Sequence, residues 1–185
     1  MNFEKLDLQY NMFLRAAETD DELGTVLRLH LLLEAYLEVA RDVLLAPDVR
    51  QFTPTPRNFA DKLGYVAVAG LPVVLAAVAH QVNTMRNKLA HRDEKGIDAG
   101  DMKQLARLVN QLRPLSHSPA DWKPIEKGYL ELPKKHPGQR WLFGGGSLRA
   151  DFVMCFGKFW AVAMRWLVIR SIANSAPDSA GSWRQ

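Results

Sequence analysis

The sequence predicts an all-α protein: a bundle of about five to six helices with a long, irregular, basic insertion before the last one. Three observations carry this. Apolar residues recur at three- and four-residue steps through most of the chain, the signature of helices with one buried face. No period-two alternation runs long enough to define a sheet, although "KGYLELP" suits one short strand. Five of the ten prolines fall between Pro114 and Gly146, where a helix cannot persist.

The chain of 185 residues is long enough for one domain with its own core, and 48% hydrophobic with 24% charged residues is an ordinary globular composition. Residues 1–173 are expected to form that domain, with 114–147 as the irregular basic excursion and 174–185 as a mobile tail with little to bury.

Residues 2–18 read as the first helix. Thr19 or Asp20 then caps a longer one, with Asp20, Asp21 and Glu22 against its positive end. Val26, Leu29, Leu33, Leu37, Ala40 and Leu44 define its buried stripe, and His30, Glu34, Glu38 and Arg41 form a polar row opposite. The proline-rich "APDVRQFTPTP" reads as a loop, after which Pro56 starts a third helix that stops at Gly70. Pro72 opens the fourth, "PVVLAAVAHQVNTMRNKLAH", whose first half is apolar on nearly every side and is placed centrally in the core. Asp98 caps a fifth, from Gly100 to Arg113, that turns Met102, Leu105, Leu108, Val109 and Leu112 inward. The last helix, Leu148 to Ala173, carries Phe152, Phe156, Phe159, Trp160, Trp166 and Leu167, mostly for core packing.

A single cysteine, Cys155, excludes an intramolecular disulfide framework and fits a reducing compartment. The amino-terminal "MNFEKLDLQYNMF" is too acidic for an export signal, and Lys158, Arg165 and Arg170 interrupt the last helix, so a cytoplasmic protein without a membrane span is expected. The formal charge of +4 is concentrated: between Arg113 and Arg149 seven Lys/Arg stand against three acids. In that segment Lys134, Lys135 and Arg140 lie beside Trp141, which suits phosphate contact and base stacking on single-stranded RNA. The plainer reading is an exposed basic loop anchored by its tryptophan.

The stretch "TMRNKLAHRDEKG", residues 84–96, overlaps two motifs. A kinase catalytic loop would need an Asn five residues after Asp93, where Asp98 stands, together with a glycine-rich strand loop and a downstream D-F-G, both absent from the sequence. The other motif is "R-N-K-L-A-H": Arg86, Asn87 and His91. Cleavage of RNA through its own 2′-hydroxyl requires proton transfer at two oxygens and positive charge for the crowded phosphorane, which histidine and arginine supply without a metal. On a regular helix Asn87 and His91 lie about 40° apart, and Arg86 and His91 about 140°. One motif histidine per chain supplies both a base and an acid only where two chains meet.

Here the sequence resembles the HEPN superfamily, helical domains with an arginine, a polar residue and a histidine a few positions on. "LRLHLLLEAYLEVARDVL", the proline-rich loop and "FADKLGYVAVAGL" extend the likeness over about residues 20–112, including to the mannitol-operon repressor branch. The resemblance implies an HEPN-like bundle and a composite site in a homodimer, acting as a metal-independent endoribonuclease of the toxin or phage-defence kind, with RNA as substrate and a protein antitoxin as partner. In that reading His91 transfers protons, Arg86 stabilises phosphorane charge and Asn87 orients. Lys88, Arg92, Lys134, Lys135, Arg140 and Trp141 hold RNA, and no cofactor or metal is called for. Many HEPN-like domains bind without cutting, so the alternative is a dimeric interaction module or transcription-related regulator. A plainer role also exists, in which Arg86 and Asn87 cap helix carbonyls and His91 favours the negative pole of the helix dipole.

Other clusters carry less. His30 and Glu34, one turn apart, read as a polar pair on a helix surface rather than metal ligands. Asp93, Glu94, Asp98 and Asp101 miss the calcium-loop pattern and read as a turn plus a cap. Gly144 to Gly146 followed by Ser147 lack the lysine of a phosphate loop and read as a flexible joint with a serine cap.

Overall fold

The computed structural model describes residues 3–53, 56–91, 96–132 and 135–175. Seven α-helices and one two-stranded hairpin occur among them: α1 (Phe3–Glu18), α2 (Glu22–Leu44), α3 (Pro47–Arg50), α4 (Phe59–Val68), α5 (Val73–His91), α6 (Ala99–Asn110), β1 (Tyr129–Glu131), β2 (Arg140–Leu142) and α7 (Leu148–Ser175). The all-α class is as expected.

The centre is α2, packed against α1, α4, α5 and α7. Asp21, not Thr19 or Asp20, is its cap: the Asp21 carboxylate accepts from the Gly24 amide at 2.8 Å. The expected stripe is buried from Val26 to Ala40, and Leu44 packs at its edge. His30 departs from expectation. It does not join an outward polar row but lies buried, 3% exposed, because α4 and α5 cover that side of α2.

Two boundaries also moved. Part of the proline-rich loop winds into the single turn of α3, where Pro47 at the first position has the φ a helix needs and no amide to leave unpaired. The next helix starts at Phe59 rather than Pro56, since Asn58 can cap and a proline cannot: the Asp61 amide donates to Asn58 Oδ1 at 2.9 Å. Gly70, with φ +112°, turns the chain into α5. Glu22 then accepts from the Ile97 amide at 2.8 Å, so the start of α2 is tied to the chain beyond the end of α5.

The aromatic face of α7 is core. Phe152, Phe156 and Phe159 are fully buried, Trp160 stacks on Phe156 with centroids 5.9 Å apart, and the Tyr36 hydroxyl donates to the Ala163 carbonyl at 3.3 Å. Each such ring stabilises the fold by about 1.5–3 kcal/mol on burial. Among the described residues Leu148–Asn174 is the one stretch long and apolar enough to cross a membrane, and half of its apolar window is buried in the bundle.

The excursion contains more order than its prolines predict. "KGYLELP" does supply β1, and "RWL" pairs with it antiparallel as β2, Leu130 opposite Trp141 and Glu131 opposite Arg140. Ser147 caps α7 through the Ala150 amide at 3.2 Å. The helix continues past Ala173 to Ser175, so the proposed tail from 174 begins inside it, and its remainder, 176–185, lies outside the described residues.

Candidate functional site

The motif occupies the last turn and a half of α5. Met85 is buried, which fixes the roll of the helix and leaves Arg86 half-buried and Asn87 and His91 exposed. Arg86 Nη1 donates to Asn87 Oδ1 at 3.1 Å, while its Nε is buried without a partner. The arginine stem is thus held by packing and its head reaches the surface at Asn87. This is not the carbonyl-capping role: the hydrogen bond of the guanidinium goes to a neighbouring side chain.

Lys88 leaves the motif for α6, its Nζ lying 2.7 and 2.8 Å from the two oxygens of Asp101. Asp98 accepts from the Asp101 amide at 2.9 Å and caps α6. Those two acids are therefore engaged, and Arg92, Asp93 and Glu94 lie outside the described residues. Among the described residues no group of three or more His, Cys, Asp or Glu is placed to hold a metal.

Beneath the motif is a polar junction that its sequence spacing did not reveal. His30 Nε2 lies 3.0 Å from Asn83 Oδ1, His30 Nδ1 lies 3.4 Å from Glu34 Oε1, and the Phe59 ring packs on the imidazole at 4.6 Å. Lys62 bridges Glu34 at 3.0 Å and Glu38 at 2.7 Å. Burial lowers the His30 pKa, opposed by Asn83 and Glu34 and reinforced by the charges of Arg86 and Lys62. Lys62 is shifted up, chiefly by its hydrogen bond to Glu38. The expected His30–Glu34 pair is present, but inside the bundle rather than on its surface. The overlooked signal was Asn83, three residues before Arg86 on a helix otherwise apolar toward α2.

His80 lies on α5 outside the Arg86–His91 motif. It is exposed, and with Thr84, Asn87 and His91 it continues one outward stripe of α5 at steps of four, three and four.

The excursion holds its cations differently. Lys135 pairs with Asp20 at 2.8 Å and also donates to the Glu18 carbonyl. Arg140 pairs with Glu131 at 2.6 Å and lies 4.3 Å over the Tyr129 ring. Trp141 is half-buried with the His136 ring edge-on at 5.3 Å, and Lys134 lies outside the described residues. Arg149, 8% exposed, donates to the Ala17 carbonyl at 2.8 Å. Lys135 thus fastens the segment to the junction of α1 and α2, whereas Arg140 is paired within the hairpin and Lys123 and Lys127 are exposed.

No protein-family model, curated protein or solved structure matches the chain.

Proposed function

We propose that the protein is a metal-independent endoribonuclease acting as an HEPN-like homodimer, with Arg86, Asn87 and His91 at its site. One observation supports this above others: Asn87 and His91 face solvent on one side of α5, and Arg86 is aimed at Asn87 rather than at helix carbonyls. In the reaction the 2′-hydroxyl of RNA loses its proton as its oxygen bonds phosphorus, and the 5′-oxygen gains one as its bond to phosphorus breaks. A cyclic phosphate and a 5′-hydroxyl result. His91 exchanges a proton, Arg86 neutralises the phosphorane and Asn87 holds Arg86 in place. Arg92, Lys134, Lys135, Arg140 and Trp141 belong to the RNA path, where Asp20 and Glu131 compete with phosphate for Lys135 and Arg140, and Asp101 competes for Lys88. A toxin or defence role, a protein antitoxin and a cytoplasmic setting complete the reading.

The purified protein should cut single-stranded RNA in the presence of a chelator. Activity lost with chelator and restored by magnesium would refute the mechanism. A second reading, a non-catalytic interaction module, is favoured by Leu23 and Leu31, exposed at 40% and 56% on α2, the helix packed beside α5. That reading predicts a folded protein that leaves RNA intact under every condition.

A further inference from the structure

We propose that His80 completes the site across a second copy of this chain, standing beside His91 of that copy and serving as its partner in proton transfer. This rests on the ribonuclease reading.

The starting point is a distance. His80 and His91 share the outward stripe of α5 but are eleven residues apart, about 16 Å along the helix. A base and an acid acting on one phosphodiester must both reach its oxygens, so the two histidines of one chain cannot serve the same phosphate. Two chains packed antiparallel through α5, about a twofold axis level with its residues 85 and 86, bring His80 of each against His91 of the other. Two identical sites result. Arg86 is level with that axis, about 8 Å along the helix from each histidine, but stands about 120–140° around α5 from them, so only its guanidinium reaches round to their face, where it meets Asn87.

Helix α2 places the axis independently. Its exposed Leu23 and Leu31, with half-buried Leu27 between them, form an apolar ridge whose midpoint is residue 27. The His30–Asn83 contact sets α2 and α5 level with each other, and the Glu22–Ile97 contact shows that they run antiparallel. From that level the ridge midpoint is three residues along α2 and the histidine midpoint two and a half along α5, in the same direction. The two midpoints coincide to within about 1 Å at 1.5 Å per residue. One twofold axis therefore pairs His80 with His91 and Leu23 with Leu31.

The two stripes also face the same side. At about 100° per residue, Leu23 and Leu31 lie roughly 20° and 100° around α2 from His30, and His80 and His91 roughly 60° and 80° around α5 from Asn83, all in the same rotational sense. For antiparallel neighbours an equal sense of rotation leads to one common face, bounded at its His80 end by α4, whose Phe59 and Lys62 cover His30, Glu34 and Glu38. A second copy of that face buries the leucines, which a monomer leaves in water. In each site one histidine takes the 2′-hydroxyl proton and the other gives a proton to the 5′-oxygen, so the pair ends with its protonation exchanged and is reset through water.

The experiment is complementation between inactive chains, with chelator present. His80→Ala and His91→Ala proteins should each cut RNA about 10²–10⁴-fold more slowly than wild type. Unfolded together and refolded as a mixture, they should recover about a quarter of the wild-type rate, because half the dimers are mixed and each mixed dimer retains one intact site of two. Full activity in His80→Ala beside an inactive His91→Ala, or no recovery in the mixture, would overturn the inference and leave the ribonuclease reading in place. If the wild-type protein does not cut RNA, that reading fails along with the catalytic role of His80, and cross-linking decides the placement. A mixture of His80→Cys and His91→Cys chains should give a disulfide-linked dimer that neither forms alone, since such a bond needs Cα atoms within about 7 Å. Absence of that link would overturn the placement as well.

Discussion

The carboxyl end of α5 and the basic excursion are the two regions proposed to meet RNA, and they hold their polar groups in different ways. On α5, Asn87 and His91 face solvent, and Arg86 is held on Asn87. In the excursion Lys135 and Arg140 are paired with Asp20 and Glu131, and Arg149, just beyond it at the start of α7, is buried on a backbone carbonyl. The difference teaches that charge density in a sequence measures supply and says little about availability. A modest motif that leaves His91 open to solvent is a better candidate than a cationic segment whose Lys135 and Arg140 are already paired.

Substitution at the two ends of this contrast tests it. His91→Ala should lower RNA cleavage about 10²–10⁴-fold with the melting temperature unchanged, because the side chain is exposed. A matched loss of stability in thermal denaturation would return His91 to a structural role. Beneath the motif, the His30 pKa is depressed by burial from its ordinary 6.5. The unfolded chain therefore binds more protons than the folded one as pH falls below about 6.5, and stability should drop there. His30→Gln should remove that part of the acid sensitivity, as read from melting temperatures across pH 7.5 to 5.5.

The excursion should respond less. Glu131→Gln frees Arg140 from its ion pair, so RNA binding should tighten and its log–log salt dependence steepen by about 0.7, the increment for one phosphate contact on a single strand. No change in slope would mean that Arg140 does not reach RNA even when released. Smallest of all, Lys135→Ala with Arg140→Ala should flatten that slope by less than about 0.7, since both cations already have partners. A larger decrease would show that the excursion carries the RNA after all.

What could be read in the sequence follows from which signals are local. The stripe of α2 and the Asp98 cap are set within a turn or two of chain, and both appear where periodicity and capping place them. Helix starts were legible only to within a few residues where several cap formers compete, as with Thr19, Asp20 and Asp21. The burial of His30 was not legible, because it depends on Phe59 and Asn83 arriving from α4 and α5. Nor was β2, a three-residue strand that exists because β1 offers it an edge. For the site, the α5 spacing placed Asn87 and His91 on one face, but the link from Arg86 to Asn87 requires the rotamers of a packed helix.

The pairing of α2 with α7 also sets a timetable for synthesis. About a hundred residues separate the end of α2 from the start of α7, and the Tyr36 hydroxyl finds its acceptor 127 positions later in the chain. At about 5–20 residues per second, a ribosome leaves the central helix without that cover for on the order of ten seconds. In that interval α1, α4 and α5 can assemble on α2, but the side awaiting Phe156 and Phe159 stays wet and adhesive. A chaperone that shields apolar helices during translation should therefore affect the yield of this protein through its α7 side, and stalled chains ending before residue 148 should be the ones it holds longest.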